Sequence, residues 1–242
     1  MIRNLSERSL SQIRPLKIET HVNRYAEGSA LIQAGHTHVL CTATIEKSVP
    51  AWMVGKGQGW ITAEYAMLPR ATHTRSKRDR EKVSGRTQEI QRLIGRALRA
   101  TVDLTQLGER SILIDCDVLQ ADGGTRTASI TGGCVALALA VEKLILEQKV
   151  SKSVWLNTVA AVSLGIHDGQ VLVDLDYQED STCDVDMNFV MTGRGQWVEV
   201  QGTGEKKTFS PDDLSAMTQA ASGAFEQIRR IQNQVIPSIL LG

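Results

Sequence analysis

From residue 28 to residue 46 apolar and polar side chains alternate on both sides of the tetrapeptide AGHT, as GSALIQ and then THVLCTATIE. A period of two on either side of a tight turn predicts a pair of antiparallel strands. The period changes at Thr87. In TQEIQRLIGRALRATVD the residues Ile90, Leu93, Ile94, Ala97 and Leu98 fall on one helical face and Arg92, Arg96 and Arg99 on the opposite one. Alternation returns in SILIDCDVLQ at 111–120, a further strand. ITGGCVALALAVEKLILEQ then runs apolar on nearly all sides, the pattern of a central, buried helix.

The composition turns polar near LEQKVSKSVW, and three strand-like runs follow: TVAAVSLGIHDG, QVLVDLDY and CDVDMNFVMTG. QWVEVQG adds a fourth, so that a meander is predicted. The last periodic segment, SPDDLSAMTQAASGAFEQIRRIQNQV, has Ser210 as N-cap, Pro211 at the first helical position and Asp213 at the positive helix end. Each half thus runs strands and then helix, with a division near residue 150. Residues 1–150 and 151–242 are expected to form two halves of one compact unit. The longest apolar run, CVALALAV at 134–141, has eight residues, short of the roughly 20 that a membrane span requires.

Composition changes this picture only where it is uneven. A 242-residue chain with 42% hydrophobic and 22% charged residues is ordinary for a folded protein. Lys plus Arg equal Asp plus Glu at 27 each, yet residues 70–99 hold ten basic residues against three acidic ones, a local excess of +7. DLDYQEDSTCDVD at 174–186 is the opposite pole, with six carboxylates and no Lys or Arg. The four cysteines, Cys41, Cys116, Cys134 and Cys183, form no C-x-x-C pair, and the polar, Arg-rich start is no secretory leader. A reduced, cytoplasmic protein without disulfides or structural zinc is expected.

Three constellations carry candidate chemistry. QADGGTRTASITGG at 120–133 joins a strand to the buried helix through small residues and one guanidinium. Free amides at a helix start, Gly123 and Gly124 for close approach, and Arg126 for a bidentate contact make an anion cradle. The same pattern would also serve a tightly packed turn, and Ser129 through Gly133 are assigned to helix packing. SGRTQEIQR at 84–92 repeats the arrangement with Arg86, so that two cradles could converge on one anion. The basic run RATHTRSKRDREK, with Arg70, Arg75, Lys77, Arg78 and Arg80, suits RNA phosphates, and Arg92, Arg96 and Arg99 extend it along the helix. In the acidic segment Asp174 and Asp176 are read on one strand face, Asp184 and Asp186 on another, and Asp180 between them. Oxygen ligands at such spacing suit Mg²⁺ or Mn²⁺, whereas an acidic hairpin in water needs no ion. The five histidines are read as structural or surface residues.

Four segments together resemble the ribonuclease PH family of phosphorolytic exoribonucleases: GWITAEYAMLPRAT at 59–72, SGRTQEIQRLIGRALRA at 84–100, DCDVLQADGGTRTASITGG at 115–133 and VEVQGTGE at 198–205. The resemblance runs from IRPLKIE at 13–19 to the final helix. It implies an α+β fold of the ribosomal protein S5 domain 2-like type, built from two similar β-α halves. It implies phosphate-dependent 3′→5′ trimming of tRNA precursors and other structured RNA 3′ ends, reversible from nucleoside diphosphates. The family's phosphate site falls on Arg86, Gly124, Thr125 and Arg126. Its acidic metal-binding and catalytic positions are matched to Asp174 and Asp180, with Mg²⁺ or Mn²⁺ as the ion. A homo-hexamer, a trimer of dimers with basic residues along the RNA path, is also implied. One departure is Glu7, in SER at 6–8, where relatives often carry glycine beside the arginine equivalent to Arg8. Two other classes are compatible with parts of the pattern, a catalytically silent RNA-binding ring subunit and an ATP-dependent small-molecule kinase on a related fold. The first would lack the arginines or acids at these positions, and the second would not explain the RNA-sized basic run.

Overall fold

The alternating segments pair as their periods require. The computed structural model describes residues 3, 7–78 and 83–241. Strands β2 (Gly28–Ala34) and β3 (Thr37–Glu46) form the expected hairpin about a turn in which Gly35 has φ +56°. β1 (Leu16–Thr20) adds to its free edge. On the other side β3 pairs antiparallel with β5 (Ser111–Gln120), and β5 pairs parallel with β4 (Trp60–Met67), giving the order β1-β2-β3-β5-β4. A parallel pair needs a crossover, supplied by α1 (Gly85–Arg99) and the single turn α2 (Leu104–Leu107).

The second sheet contains β6 (Val159–His167), β7 (Gln170–Val173), β8 (Val185–Thr192) and β9 (Trp197–Thr203). It is antiparallel throughout, but its order is β7-β6-β8-β9. A sequential meander is therefore not formed. β7 ends after four residues because Asp174 turns into the left-handed region at φ +57°, and β8 returns along the opposite edge of β6. Asp174 and Asp176 consequently do not share a strand face. Asp176 instead caps a short helix, α4 (Tyr177–Thr182), in a reciprocal capping box with Glu179.

The apolar segment at 125–146 becomes α3 (Thr125–Leu146). Its length and composition would suit a membrane span, but 78% of its most apolar window is buried inside this molecule. It packs on both sheets, with Ile130, Val135, Leu137 and Val141 fully buried. Each such side chain contributes about 1.5–3 kcal/mol of transfer free energy. Small residues set the approach of α3 to the first sheet. A Cβ on Gly28 would lie 2.0 Å from the Ala136 carbonyl oxygen, and one on Gly132 would lie 2.8 Å from Ile32. α5 (Pro211–Asn233) covers the second sheet, its start fixed by the Ser210–Asp213 capping box. With α3 shared between the two sheets, both halves close around one interior.

Candidate active site

Local chemistry determines the phosphate loop. β5 ends at Gln120, and Gly123 and Gly124 both take positive φ, +72° and +62°. A Cβ on Gly123 would lie 2.6 Å from the backbone of Leu175 and Asp176, so the loop lies directly against the segment leading into α4. Gly124 is the N-cap of α3 and offers no side chain to its amides. The positive end of a 22-residue helix therefore opens at Thr125 and Arg126 without an internal cap, the arrangement that binds an anion. The Tyr65 hydroxyl, on β4, donates to Thr125 Oγ1 at 2.9 Å, and burial pushes the Tyr65 phenol up despite the nearby charges of Arg86 and Arg126.

The two predicted arginines both act on Tyr65 beside this helix start. Arg86 is exposed on the first turn of α1, whose N-cap Ser84 accepts from the Thr87 amide. Its charge, like that of Arg126, acts on both Tyr65 and Asp180. Arg126 is half-buried and held from two elements: Nη1 donates to Gln201 Oε1 of β9 at 2.9 Å and lies 3.3 Å from Glu89 Oε2 of α1. Gln201 Nε2 in turn donates to Glu89 Oε1 at 3.0 Å.

The acids rearrange relative to the expectation. Asp174 does not face the site as a free carboxylate. Its Oδ1 accepts from Arg14 Nη2 at 2.7 Å, and its Oδ2 accepts from the Arg14 amide at 2.7 Å and from Arg14 Nε at 3.1 Å. Burial alone would raise this carboxyl, but Arg14, helped by Arg8, holds it below the ordinary carboxylate range. Both oxygens are engaged by Arg14 in an internal ion pair. Asp186, on β8, lacks such a partner. One carboxylate oxygen of Asp186 is buried without a hydrogen-bond partner. Burial pushes its carboxyl up, and the charges of Asp180 and Glu205 push it further. Asp180, on α4, is also raised by burial, an effect that Arg86 and Arg126 oppose. The charge of Asp180 thus acts on Asp186, and that of Arg126 acts on both. Sequence reading placed Asp186 within the acidic cluster but gave it no role. The available signal was that Asp186 is the one cluster acid inside a strand rather than in the loop or helix before it.

The basic residues separate into two groups. Arg70, Arg75, Lys77 and Arg78 are exposed on the segment after β4, with Arg70 donating to the His73 carbonyl, whereas Arg80 lies outside the described residues. Arg92 is exposed on α1. Arg96 forms a two-point pair with Glu199 at 2.6 and 3.0 Å. Arg99 is half-buried, 4.4 Å from the Trp60 ring centroid, and donates to the Ile61 carbonyl. Arg96 is exposed with its charge paired to Glu199, whereas Arg99 makes internal contacts.

Residues 12–141 match the first domain of the 3′ exoribonuclease family, and residues 157–224 match its second domain. The chain belongs to this family. It is 56% identical over 232 residues to ribonuclease PH of Bdellovibrio bacteriovorus, covering 96% of each chain. Rrp46 of rice superposes with a TM-score of 0.78 at 17% identity, covering 97% of this chain and all of that one. A chain of the Archaeoglobus fulgidus exosome, in a structure with RNA bound to the active site, superposes with a TM-score of 0.77 at 19% identity over 96% of this chain and 92% of that one. These two likenesses bear on the fold, which is the α+β ribonuclease PH fold.

Proposed function

We propose that Arg86, Arg126 and the helix-start amides at Gly124 and Thr125 hold inorganic phosphate for attack on the 3′-terminal internucleotide linkage of RNA, with Asp180 and Asp186 on the opposite wall. The chain is a phosphate-dependent 3′→5′ exoribonuclease of tRNA processing. The observation that carries the site assignment is the uncapped start of α3 between two arginines and two carboxyls raised above their ordinary range.

The chemical difficulty is electrostatic, because nucleophile and target are both anions. Two unit charges 4 Å apart repel by about 4 kcal/mol at an effective dielectric near 20. Arg86 and Arg126 offset this repulsion, and the α3 amides orient the attacking oxygen. Phosphorus gains a bond to a phosphate oxygen and loses its bond to the 3′-oxygen of the preceding nucleotide. A nucleoside 5′-diphosphate leaves, and the shortened RNA ends in a 3′-hydroxyl once that oxygen takes up a proton.

Two desolvated carboxyls, one with an unpartnered buried oxygen, fit a hard divalent cation such as Mg²⁺ or Mn²⁺. Asp180 and Asp186 would hold it, and a bound ion would supply charge neutralisation at the scissile phosphate. Among the described residues no group of three or more His, Cys, Asp or Glu side chains is placed to hold a metal ion.

Precursor tRNA as the RNA, a cytoplasmic location and assembly as a homo-hexameric trimer of dimers complete the reading. The exposed cations at Arg70, Arg75, Lys77, Arg78 and Arg92 support the first of these. The bond broken and the anhydride formed are similar in energy, so the reaction runs in reverse when diphosphate exceeds phosphate. Labelled ADP incubated with an RNA primer is expected to extend it. A primer that trims but is never extended would count for hydrolysis and against this reading.

A further inference from the structure

Four formally charged side chains are buried among the described residues: Arg3, Arg14, Asp174 and Glu179. Removing charge from water is expensive, and nothing in the fold requires the four to lie together. They nevertheless converge on one place. Arg3 grips Glu179 through Nε and Nη2 at 2.6 and 2.7 Å, and its other bonds reach the Ser9, Leu10 and Val173 carbonyls. Arg8, with 13% of its side chain exposed at the edge of the cluster, donates to Glu179 Oε2 and to the Asp174 carbonyl. Arg14 holds Asp174, donates to the Asp122 carbonyl of the phosphate loop, and leaves 2.9 Å between its Nη2 and where a Cβ on Gly124 would lie. The Asp122 side chain accepts from the Tyr177 amide at the start of α4.

We propose that Arg3, Arg8 and Glu179 are positioning residues for the phosphorolytic reaction, fixing α4, and with it Asp180, against the phosphate loop. The inference rests on the reading that Asp180 acts at the bound phosphate. A helix of six residues has too few internal bonds to hold its own place. Its apolar anchorage is a small cluster of Leu172, Leu175 and Cys183 with Leu10. Glu179 immediately precedes Asp180 and accepts bonds from Arg3, Arg8 and the Asp176 amide, so the ion pair sets the rotation and depth of α4. Arg3 and residues 7–10, which supply these partners, touch neither the arginines nor the amides of the phosphate cradle in any described hydrogen bond.

This division fixes the test. Arg3→Met, Arg3→Lys, Glu179→Gln and Arg8→Ala are assayed for kcat and for the phosphate KM, with turnover expressed per folded molecule. Displacing a reacting group by about 1 Å costs on the order of 100-fold in rate. Arg3→Met and Glu179→Gln are therefore expected to lower kcat by about 10-fold or more with the phosphate KM unchanged within about twofold. Arg3→Lys keeps the charge but loses the fork, and falls between wild type and Arg3→Met. Arg8→Ala, at the cluster edge, keeps the protein folded and shows the same kcat-only loss at smaller size. Wild-type kcat per folded molecule in these variants, or kcat and phosphate KM shifting together, would overturn the proposal. Asp180→Asn separates the two layers. If Asp180→Asn turns over normally, the reading of the site fails; if it is inactive while the Arg3, Arg8 and Glu179 variants turn over normally, the positioning role alone fails.

Discussion

Arg126 is the residue on which charge compensation depends most directly, since its guanidinium lies beside the α3 start while Glu89 and Gln201 fix its direction. Arg126→Ala is expected to raise the phosphate KM or abolish trimming, by about 100-fold in kcat/KM, while tRNA binding, measured by filter retention, persists. Trimming with unchanged phosphate dependence would remove Arg126 from the cradle. Asp186 makes a prediction of opposite sign for stability and activity. Its folded pKa is raised, so the ionised carboxylate penalises the fold above the ordinary carboxylate pKa and the penalty disappears as pH falls below it. Asp186→Asn should therefore lose activity yet gain about 1 kcal/mol, or roughly 2–4 °C in Tm, at pH 7, with no gain near pH 3. The small figure reflects a carboxylate that is only half-buried.

Single elements explain which sequence signals were readable. The hairpin at 28–46 and the helix from Thr87 announce themselves because long alternating or 3.6-residue patterns are averaged over many positions. α4 does not: six residues in an acidic stretch carry no periodic apolar face, and its capping box of Asp176 and Glu179 resembles a row of metal ligands. Asp174 was matched to the site through the family resemblance. Its actual partner is Arg14, 160 positions away, and no local pattern reports such a pairing. The Gly-Gly turn was legible as the lead into a helix start because its signal lies within a few consecutive residues. Two predictions follow at this scale. Gly124→Ala forces an L side chain to φ +62° and towards Arg14, costing about 1–2 kcal/mol of stability and raising the phosphate KM. For Asp174, burial acts to raise the pKa, but Arg14 lowers it further, so the pair contributes stability above pH 4 that is lost as pH falls through the depressed folded value. Asp174→Asn leaves Arg14 buried and unpaired, and thermal melts should show a loss of about 3–5 kcal/mol at pH 7 that narrows below pH 4.

At the scale of the whole molecule, a neutral chain segregates its charges, with exposed cations after β4, Arg126 at the start of α3 and a group of carboxyls at 174–186, which the proposed function assigns to RNA, to phosphate and to a divalent ion. The succession of strands and helices was legible from the changes of period, whereas the β7-β6-β8-β9 order was not, because strand periodicity carries no information about which edge a strand joins. Replacing Arg75, Lys77 and Arg78 together by Ala is expected to weaken tRNA binding and to lower the slope of log affinity against log salt by about 2–3, leaving the phosphate KM unaffected. The central claim is that phosphate, not water, is the nucleophile at this site. The most direct measurement is incubation of a 3′-extended tRNA with and without inorganic phosphate, followed by identification of the released mononucleotide. Nucleoside 5′-diphosphates are expected, and only when phosphate is present. Nucleoside 5′-monophosphates, released at the same rate in its absence, would contradict the claim.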